Sequence, residues 1–428
     1  MPPQGSRRSD LRRIGVDYIT RIEGQAALDL WLSRDGELRD VKLRIFEPPR
    51  FFEAILRGRR YDEVAEIASR ICGVCPITHQ VTALKAVERA LGIEVTPEVR
   101  LLRRLLAMGG IISSHAASIY LLTLPDYLNR PTLLGEPELL RRAVALIRAG
   151  DEVASLIGGR AIHPVTAVVG GFTHTPSRAE AEQVRRRLLE AREDALKTVE
   201  LFEEVEVPRF ERRCEHVALR GKEGYAINDG LIASTEGLRI TAEEYREHVV
   251  EFQVPHSTAK HSEMRGRSTF LVGPLARVNL NYDRLSADAR EAAEELGFRP
   301  PCFNPFAAPL ARVVEVLHLI DECLEVPTGG CEPPPLEPGE GSGAAVTEAP
   351  RGLNYHRYEL DGEGTVSGCD ISPPTCQNAR NIEMDLWKLV PGLLDLSEGE
   401  LLRRCEMLIR AYDPCVSCSV HMVRLHWV

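Results

Sequence analysis

Apolar and polar positions alternate along residues 14–47. Ile14, Val16 and Tyr18 are followed by Ala27, Leu28, Leu30 and Leu32, then by Val41, Leu43 and Ile45, with Asp35-Gly36 between two of the runs. Alternation of period two across an Asp-Gly turn predicts a small antiparallel sheet. From Arg50 the period lengthens to that of a helix. Phe52, Ile55 and Leu56 predict a short helix, and a longer one runs from Tyr61 towards Ala90, interrupted near Gly73 and Pro76. Thr96 and Pro97 form a cap and first-turn pair that opens a helix through about residue 124. Its centre, residues 107–122, is apolar nearly all round and reads as buried core. Further helices are predicted at about 137–157, 178–206, 241–254, 284–296, 306–324, 380–394 and 397–411. Residues 332–343 are a Pro- and Gly-rich loop, and residues 355–360 and 365–367 flank an Asp361-Gly362 turn as strands. The pattern predicts a mainly α chain with small antiparallel β-sheets, in the α+β class. It divides into a β-rich segment over 1–50, a helical core over 51–330, a mixed C-terminal part over 331–421, and a tail over 422–428.

Composition narrows the function. A chain of 428 residues, 44% hydrophobic and 27% charged, can bury a large core unaided. The net charge of −10 argues against a nucleic-acid grip, which needs a basic field. No run of roughly eighteen apolar residues is free of charges, so no membrane span is expected. Arg7, Arg8, Arg12 and Arg13 are followed by no apolar run, so the N-terminus does not read as a signal peptide. The eleven cysteines are odd in number and scattered apart from two close pairs, which suggests metal or redox thiols in a reducing compartment.

The pairs are Cys72-Gly73-Val74-Cys75 and Cys415-Val416-Ser417-Cys418, each followed by a His, His79 four residues after Cys75 and His421 three residues after Cys418. This spacing puts both sulfurs on one side of a tight turn, and two such pairs can surround one soft metal. Other readings remain open on spacing alone. A structural zinc site normally has its pairs within a few tens of residues, whereas nearly the whole chain separates these. A thioredoxin-type dithiol needs a βαβ unit, and none is visible. Unrelated buried cysteines are the third reading.

Residues 70–79 and 413–421 resemble the two signature motifs of the large subunit of nickel–iron hydrogenases. Further elements follow in family order. Thr20-Arg21-Ile22-Glu23-Gly24 is similar to the family's RIEG element, residues 50–58 to its next helix, and His115 to Asp126 to a helix in which an Asp follows a His at this distance. Glu348-Ala349-Pro350-Arg351-Gly352 is similar to the EAPRG element, and residues 374–378 to the later P-T-x-x-N segment. The segment from His163 to Gly171 is also similar to a family segment and reads as tight backbone packing at Gly170 and Gly171.

The resemblance implies a long-helix bundle and the roles of its residues. Cys72 and Cys415 would be terminal nickel ligands, and Cys75 and Cys418 would bridge nickel to iron. The iron would carry one carbon monoxide and two cyanides, giving a Ni-Fe(CN)2(CO) centre. Glu23 would be the first proton relay, against its plainer reading as a carboxylate after a strand. Arg351 would hang over the open side of the metals, with Asp126 as its buried partner and Asp413 as a second carboxylate nearby. Asp413 could equally be a structural ion pair. His79 would donate a hydrogen bond to a bridging cysteine. Glu53 and His421 would bind Mg2+ with the backbone carbonyl of Ala379, although Glu53 also suits a surface pair with Arg57.

The resemblance implies reversible heterolytic splitting of H2. The seven remaining cysteines, Cys214, Cys302, Cys323, Cys331, Cys369, Cys376 and Cys405, form no C-x-x-C-x-x-C run and read as buried hydrophobes. No G-x-G-x-x-G opens a strand–helix unit for NAD or flavin. Electrons would therefore leave through a small subunit carrying iron–sulfur clusters and on to flavin-containing diaphorase subunits using NAD(P). Nickel-insertion proteins and an endopeptidase that removes Met422–Val428 are also implied. Gln25 stands where the family has His, and Cys376 and Gln377 depart from its P-T-T-W-N form. These features are most similar to the cytoplasmic, multimeric, NAD(P)-linked and sulfhydrogenase-type group. The competing reading is a metal-free scaffold subunit related to respiratory quinone reductases. The presence of all four cysteines, Arg351 and Asp126 argues against it.

Overall fold

The structure, a computed structural model, describes residues 11–327 and 331–420. Strands Arg12–Val16, Ala26–Leu32 and Leu38–Ile45 pair antiparallel in chain order. The turn after Leu32 closes with Ser33 N donating to Glu37 O at 2.9 Å, and Gly36 takes the positive φ of 87° that the Asp-Gly signal anticipates. Leu28, Leu30, Val41, Leu43 and Ile45 are buried.

Seven helices of 15 residues or more stand among the described residues: Pro76–Ala90, Pro97–Ala117, Pro137–Gly158, Arg178–Glu203, Ala308–Glu322, Pro374–Leu389 and Glu398–Tyr412. Local chemistry starts them where the sequence says. Thr96 Oγ1 accepts from Val99 N at 3.3 Å, and Ser177 and Glu180 form a reciprocal capping box. Helices Pro97–Ala117 and Pro137–Gly158 meet backbone to backbone at a glycine pair. A Cβ on Gly150 would sit 2.5 Å from Gly109 O, so only hydrogen fits.

The helix opened by Pro97 does not stay α-helical to residue 124. It widens to a π-helix over Ser118–Thr123 and resumes as Leu124–Tyr127. Pro125 has no N–H to give the preceding turn, and Thr123 Oγ1 donates to Ser118 O at 3.0 Å instead. By length and composition alone, the stretch Pro97–Tyr127 is long and apolar enough to cross a membrane, because residues 105–125 carry no Asp, Glu, Lys or Arg to interrupt it as expected. In the fold, 72% of its most apolar window is buried.

Other expectations shift. The helix predicted over 241–254 is a single turn, Tyr245–His248. The chain then forms strand Val249–Phe252, paired antiparallel with His261–Met264. The β-branched pair Val249-Val250 favours that ladder over a helix. The helix predicted from 380 begins earlier, at Pro374, because proline is preorganised for a first turn. Strands Gly341–Ala349, Gly352–Leu360 and Val366–Ser372 form an antiparallel sheet against helix Pro76–Ala90, the first of them beginning inside the predicted loop. The small sheet of Glu215–Arg220, Leu231–Ser234, Arg239–Ile240 and Phe270–Leu271 has no counterpart in the sequence reading. Three of its strands are too short to show a period, and Glu215–Arg220 is buried along nearly its whole length, so it does not alternate. One apolar cluster extends from Ile14 to Val420 and draws on nearly every element.

Candidate metal centre

The two cysteine pairs meet, although 343 residues separate their corresponding members. Cys72 ends a turn after helix Val64–Ser69, and Cys75 is the residue just before helix Pro76–Ala90. Asp413 ends helix Glu398–Tyr412 in the left-handed region, at φ 55°, and turns the chain inward so that Cys415 leads the short helix Val416–Ser419. Cys72 Sγ lies 3.4 Å from Cys415 Sγ, and Cys75 Sγ lies 3.5 Å from Cys418 Sγ. All four are at most 6% exposed and form a cluster of their own.

The backbone serves the sulfurs. Val74 N and Cys75 N point at Cys72 Sγ at 3.2 and 3.3 Å, and Cys415 N donates to Thr375 Oγ1 at 2.9 Å. Thiol donors from Cys415, Cys418 and Cys75 pull Cys72 well below the usual thiol range, against burial. Burial pushes Cys415 and Cys418 well above it, and nearby sulfur charge adds to the push. One thiolate is thus stabilised at the expense of the others. A cation would allow all four to ionise. Four soft donors with no carboxylate among them suit soft metals such as nickel and iron.

Glu23 is carried to the second pair by a backbone bridge between Glu23 and Cys415, with Val416 N donating to Glu23 O at 2.9 Å. Its carboxylate accepts from Ser417 N at 3.0 Å and from the Ser417 hydroxyl. Arg351, 3% exposed, donates from Nε to Asp413 O at 2.7 Å, from Nη2 to Asp413 Oδ1 at 3.0 Å and from Nη1 to Ser114 Oγ at 3.3 Å. Burial alone would lower its pKa. Asp413, Cys415, Cys75 and Cys72 outweigh that and hold it charged.

The expected pairing of Arg351 with Asp126 does not form. Both Asp126 oxygens are taken by Arg410, from Nε at 2.6 Å and Nη2 at 3.0 Å, and Arg21 adds a third donor. Arg410 and Arg21 flank the carboxylate, whereas Asp413 reaches Arg351 from two residues before Cys415. Asp126 thus fastens the N-terminal segment to helix Glu398–Tyr412. Replacing it by Ala takes two bonds from a guanidinium whose side chain is 2% exposed and leaves it Glu406 at 3.4 Å and the Thr20 carbonyl at 3.1 Å. We expect Asp126→Ala to cost ~1.5–3 kcal/mol, read as a lowered thermal midpoint of the purified complex.

His79 lies on helix Pro76–Ala90 one turn past Cys75, and its Nδ1 is 3.0 Å from His356 Nε2, with His356 Nδ1 2.7 Å from Tyr358 OH. Glu53 is 4% exposed, not a surface residue, and its Oε1 accepts from Ile371 N at 2.9 Å. Arg50 N donates to Val420 O at 2.8 Å, which brings the end of the described chain towards Glu53. His421 and Met422–Val428 lie outside the described residues. Ala379 is buried inside helix Pro374–Leu389, so the helical backbone bond would take one of its carbonyl's two lone pairs.

Sequence reasoning missed Ser114, Ser417 and a buried network in which Arg277 contacts Glu315, Glu348 and His115. Ser114 adjoins His115, which was singled out, and Ser417 sits within the second cysteine pair. Nothing in the spacing marks either as a partner.

Fold and site together define a metalloenzyme subunit: a long-helix bundle that buries four thiol sulfurs beside a fixed guanidinium and a carboxylate. The family model for nickel-dependent hydrogenases matches residues 50–137. The chain is 36% identical to sulfhydrogenase 1 subunit alpha of Pyrococcus furiosus, across 96% of this chain and 98% of that protein. It is 33% identical to sulfhydrogenase 2 subunit alpha of the same organism, across 96% and 100%. A crystal structure of an NAD+-reducing [NiFe]-hydrogenase in the H2-reduced state superposes with a TM-score of 0.87 at 28% identity, over 96% of this chain and 99% of that one. The chain belongs to the nickel-dependent hydrogenase family, as its catalytic large subunit.

Proposed function

We propose that Cys72 and Cys415 would hold nickel as its terminal ligands and that Cys75 and Cys418 would serve both nickel and an iron carrying carbon monoxide and two cyanides. The observation that carries this is the pairing of the four buried sulfurs at 3.4 and 3.5 Å, with Glu23 and Arg351 held to the same C-terminal turn. When bound, this Ni-Fe(CN)2(CO) centre supplies the redox chemistry that splits H2 heterolytically. The chain supplies proton handling and orientation. Cys415 Sγ accepts the proton, and the Glu23 carboxylate takes it onward, steadied by the Ser417 amide and hydroxyl. Arg351 keeps a fixed positive charge beside the thiolates, with Asp413 fixing its plane and Ser114 contacting Nη1. His79 steadies a bridging cysteine, with His356 orienting its ring.

Mg2+ is proposed at Glu53 and His421; the Arg50–Val420 bond brings the end of the described chain towards Glu53. Electrons leave to a small subunit carrying iron–sulfur clusters. By analogy with the NAD+-reducing relative, they pass on to diaphorase subunits with flavin and NAD(P), in a cytoplasmic complex. The 331–421 part carries the second cysteine pair, and we propose that Met422–Val428 is removed by an endopeptidase once nickel-insertion proteins have acted. Intact-mass measurement of nickel-loaded native protein should show a chain ending at His421. A retained tail would reject the cleavage.

The deciding test is an infrared spectrum of the anaerobically purified native complex. Bands of metal-bound carbon monoxide and cyanide, with H2-dependent dye reduction, are expected. Tail-processed protein with neither would overturn the assignment.

A further inference from the structure

A second potential ligand set lies outside the thiolate centre. His256, His261 and Glu383 each bring one ligand atom to within 4.8 Å of the others. They come from two distant parts of the chain, one hairpin and one helix. His256 sits in the turn between strands Val249–Phe252 and His261–Met264, His261 opens the second strand, and Glu383 lies along helix Pro374–Leu389. His256 Nε2 is 2.7 Å from Glu383 Oε1, and His261 Nδ1 is 3.7 Å from Glu383 Oε2.

The decisive residue is His261. It is 0% exposed, and neither ring nitrogen has a hydrogen-bond partner among the described residues. Native folds seldom bury a polar ring unsatisfied, so each such case asks for a missing partner. A structural His256–Glu383 hydrogen bond accounts for two of the residues and leaves His261 unexplained. The surroundings suit a ligating carboxylate. Leu43 N donates to Oε1 and Arg380 Nη1 to Oε2, both at 3.1 Å, as outer contacts that orient it. Lys260, adjacent in sequence to His261, is turned away to Glu251 at 3.3 Å.

We propose that His256, His261 and Glu383 bind one divalent transition-metal ion of the zinc class, with water completing the shell. Two imidazoles and one carboxylate are borderline donors, suited to zinc rather than to magnesium or calcium. Coordination requires only that His256 shift its ring proton to Nδ1, so no oxidant or base is involved. The role is a brace. The ion ties the hairpin of residues 249–264 to helix Pro374–Leu389, whose Glu383 already holds strand Leu38–Ile45 through Leu43. The same helix begins beside the thiolates, where Thr375 accepts from Cys415 N. This site is independent of the nickel–iron assignment.

The test uses the full-length chain in its native complex, incubated with Zn2+ and then freed of loose ion. Elemental analysis and zinc-edge X-ray absorption are recorded for wild type, His256→Ala and Glu383→Gln. We expect one tightly held zinc per chain in wild type, with a purely nitrogen and oxygen shell at about 2.0–2.2 Å that includes imidazole. Both variants should lose it while keeping the carbon monoxide and cyanide bands. Failure to retain zinc, retention undiminished in both variants, or a sulfur shell at about 2.3 Å marking occupation of the cysteines would overturn the proposal. If the variants do not assemble, the wild-type shell decides alone.

Discussion

Cys415→Ser should leave a folded chain with background nickel and no detectable hydrogen activity. The substitution is nearly isosteric. It keeps the backbone amide that donates to Thr375 Oγ1, and it keeps the bridge to Glu23. The turn that carries the second pair should therefore persist. What disappears is the soft, polarisable donor: a serine hydroxyl is hard and resists ionisation at neutral pH, whereas nickel in a sulfur-rich site needs thiolate. The effect extends beyond one ligand. Cys72 draws its thiolate character first from its contact with Cys415, 3.4 Å away, so the remaining three sulfurs lose the partner that organises them. Nickel per chain by elemental analysis, together with circular dichroism for the fold, checks this. Full nickel occupancy with wild-type turnover in the serine variant would remove Cys415 from the ligand set.

That variant tests the part of the site most legible in the chain. A C-x-x-C pair is a local object, and its geometry follows from a tight turn whatever surrounds it. Thr96 and Pro97 likewise act within one helical turn, and the helix they open starts where they say. Legibility fails where the decision is made across the fold. Arg351 needed a carboxylate, and the family resemblance offered Asp126 and Asp413. Only the packing of Arg410 and Arg21 against Asp126 decides between them. The Gly109–Gly150 contact is invisible for the same reason, because neither glycine marks a turn in its own helix. Strands of two to four residues, such as Arg239–Ile240 and Leu231–Ser234, are shorter than the window in which alternation can be counted. The ring of His261 left without a partner is the extreme case. In the chain it is an ordinary histidine before a Ser and a Glu.

Glu23→Gln separates proton transfer from structure, and it should lower H2 turnover by ~10²–10⁴-fold while nickel content and the carbon monoxide and cyanide bands remain. Glutamine has the same shape. Its amide oxygen can still accept from Ser417 N, and the backbone bond from Val416 N to residue 23 is untouched. The one property removed is the capacity to bind and release a proton at the carboxylate. Ser417→Ala is the matching control. It deletes the hydroxyl that contacts Glu23 Oε1 but leaves the carboxylate and its amide donor, so its loss should be far smaller. A graded series, with Ser417→Ala mild and Glu23→Gln severe, identifies the carboxylate itself as the proton's exit. If both variants turn over within about twofold of wild type, the proton does not leave through Glu23. Its grip on the turn between Cys415 and Cys418 would then be purely architectural, because the contacts that survive in Glu23→Gln are those that position the turn and not those that carry charge.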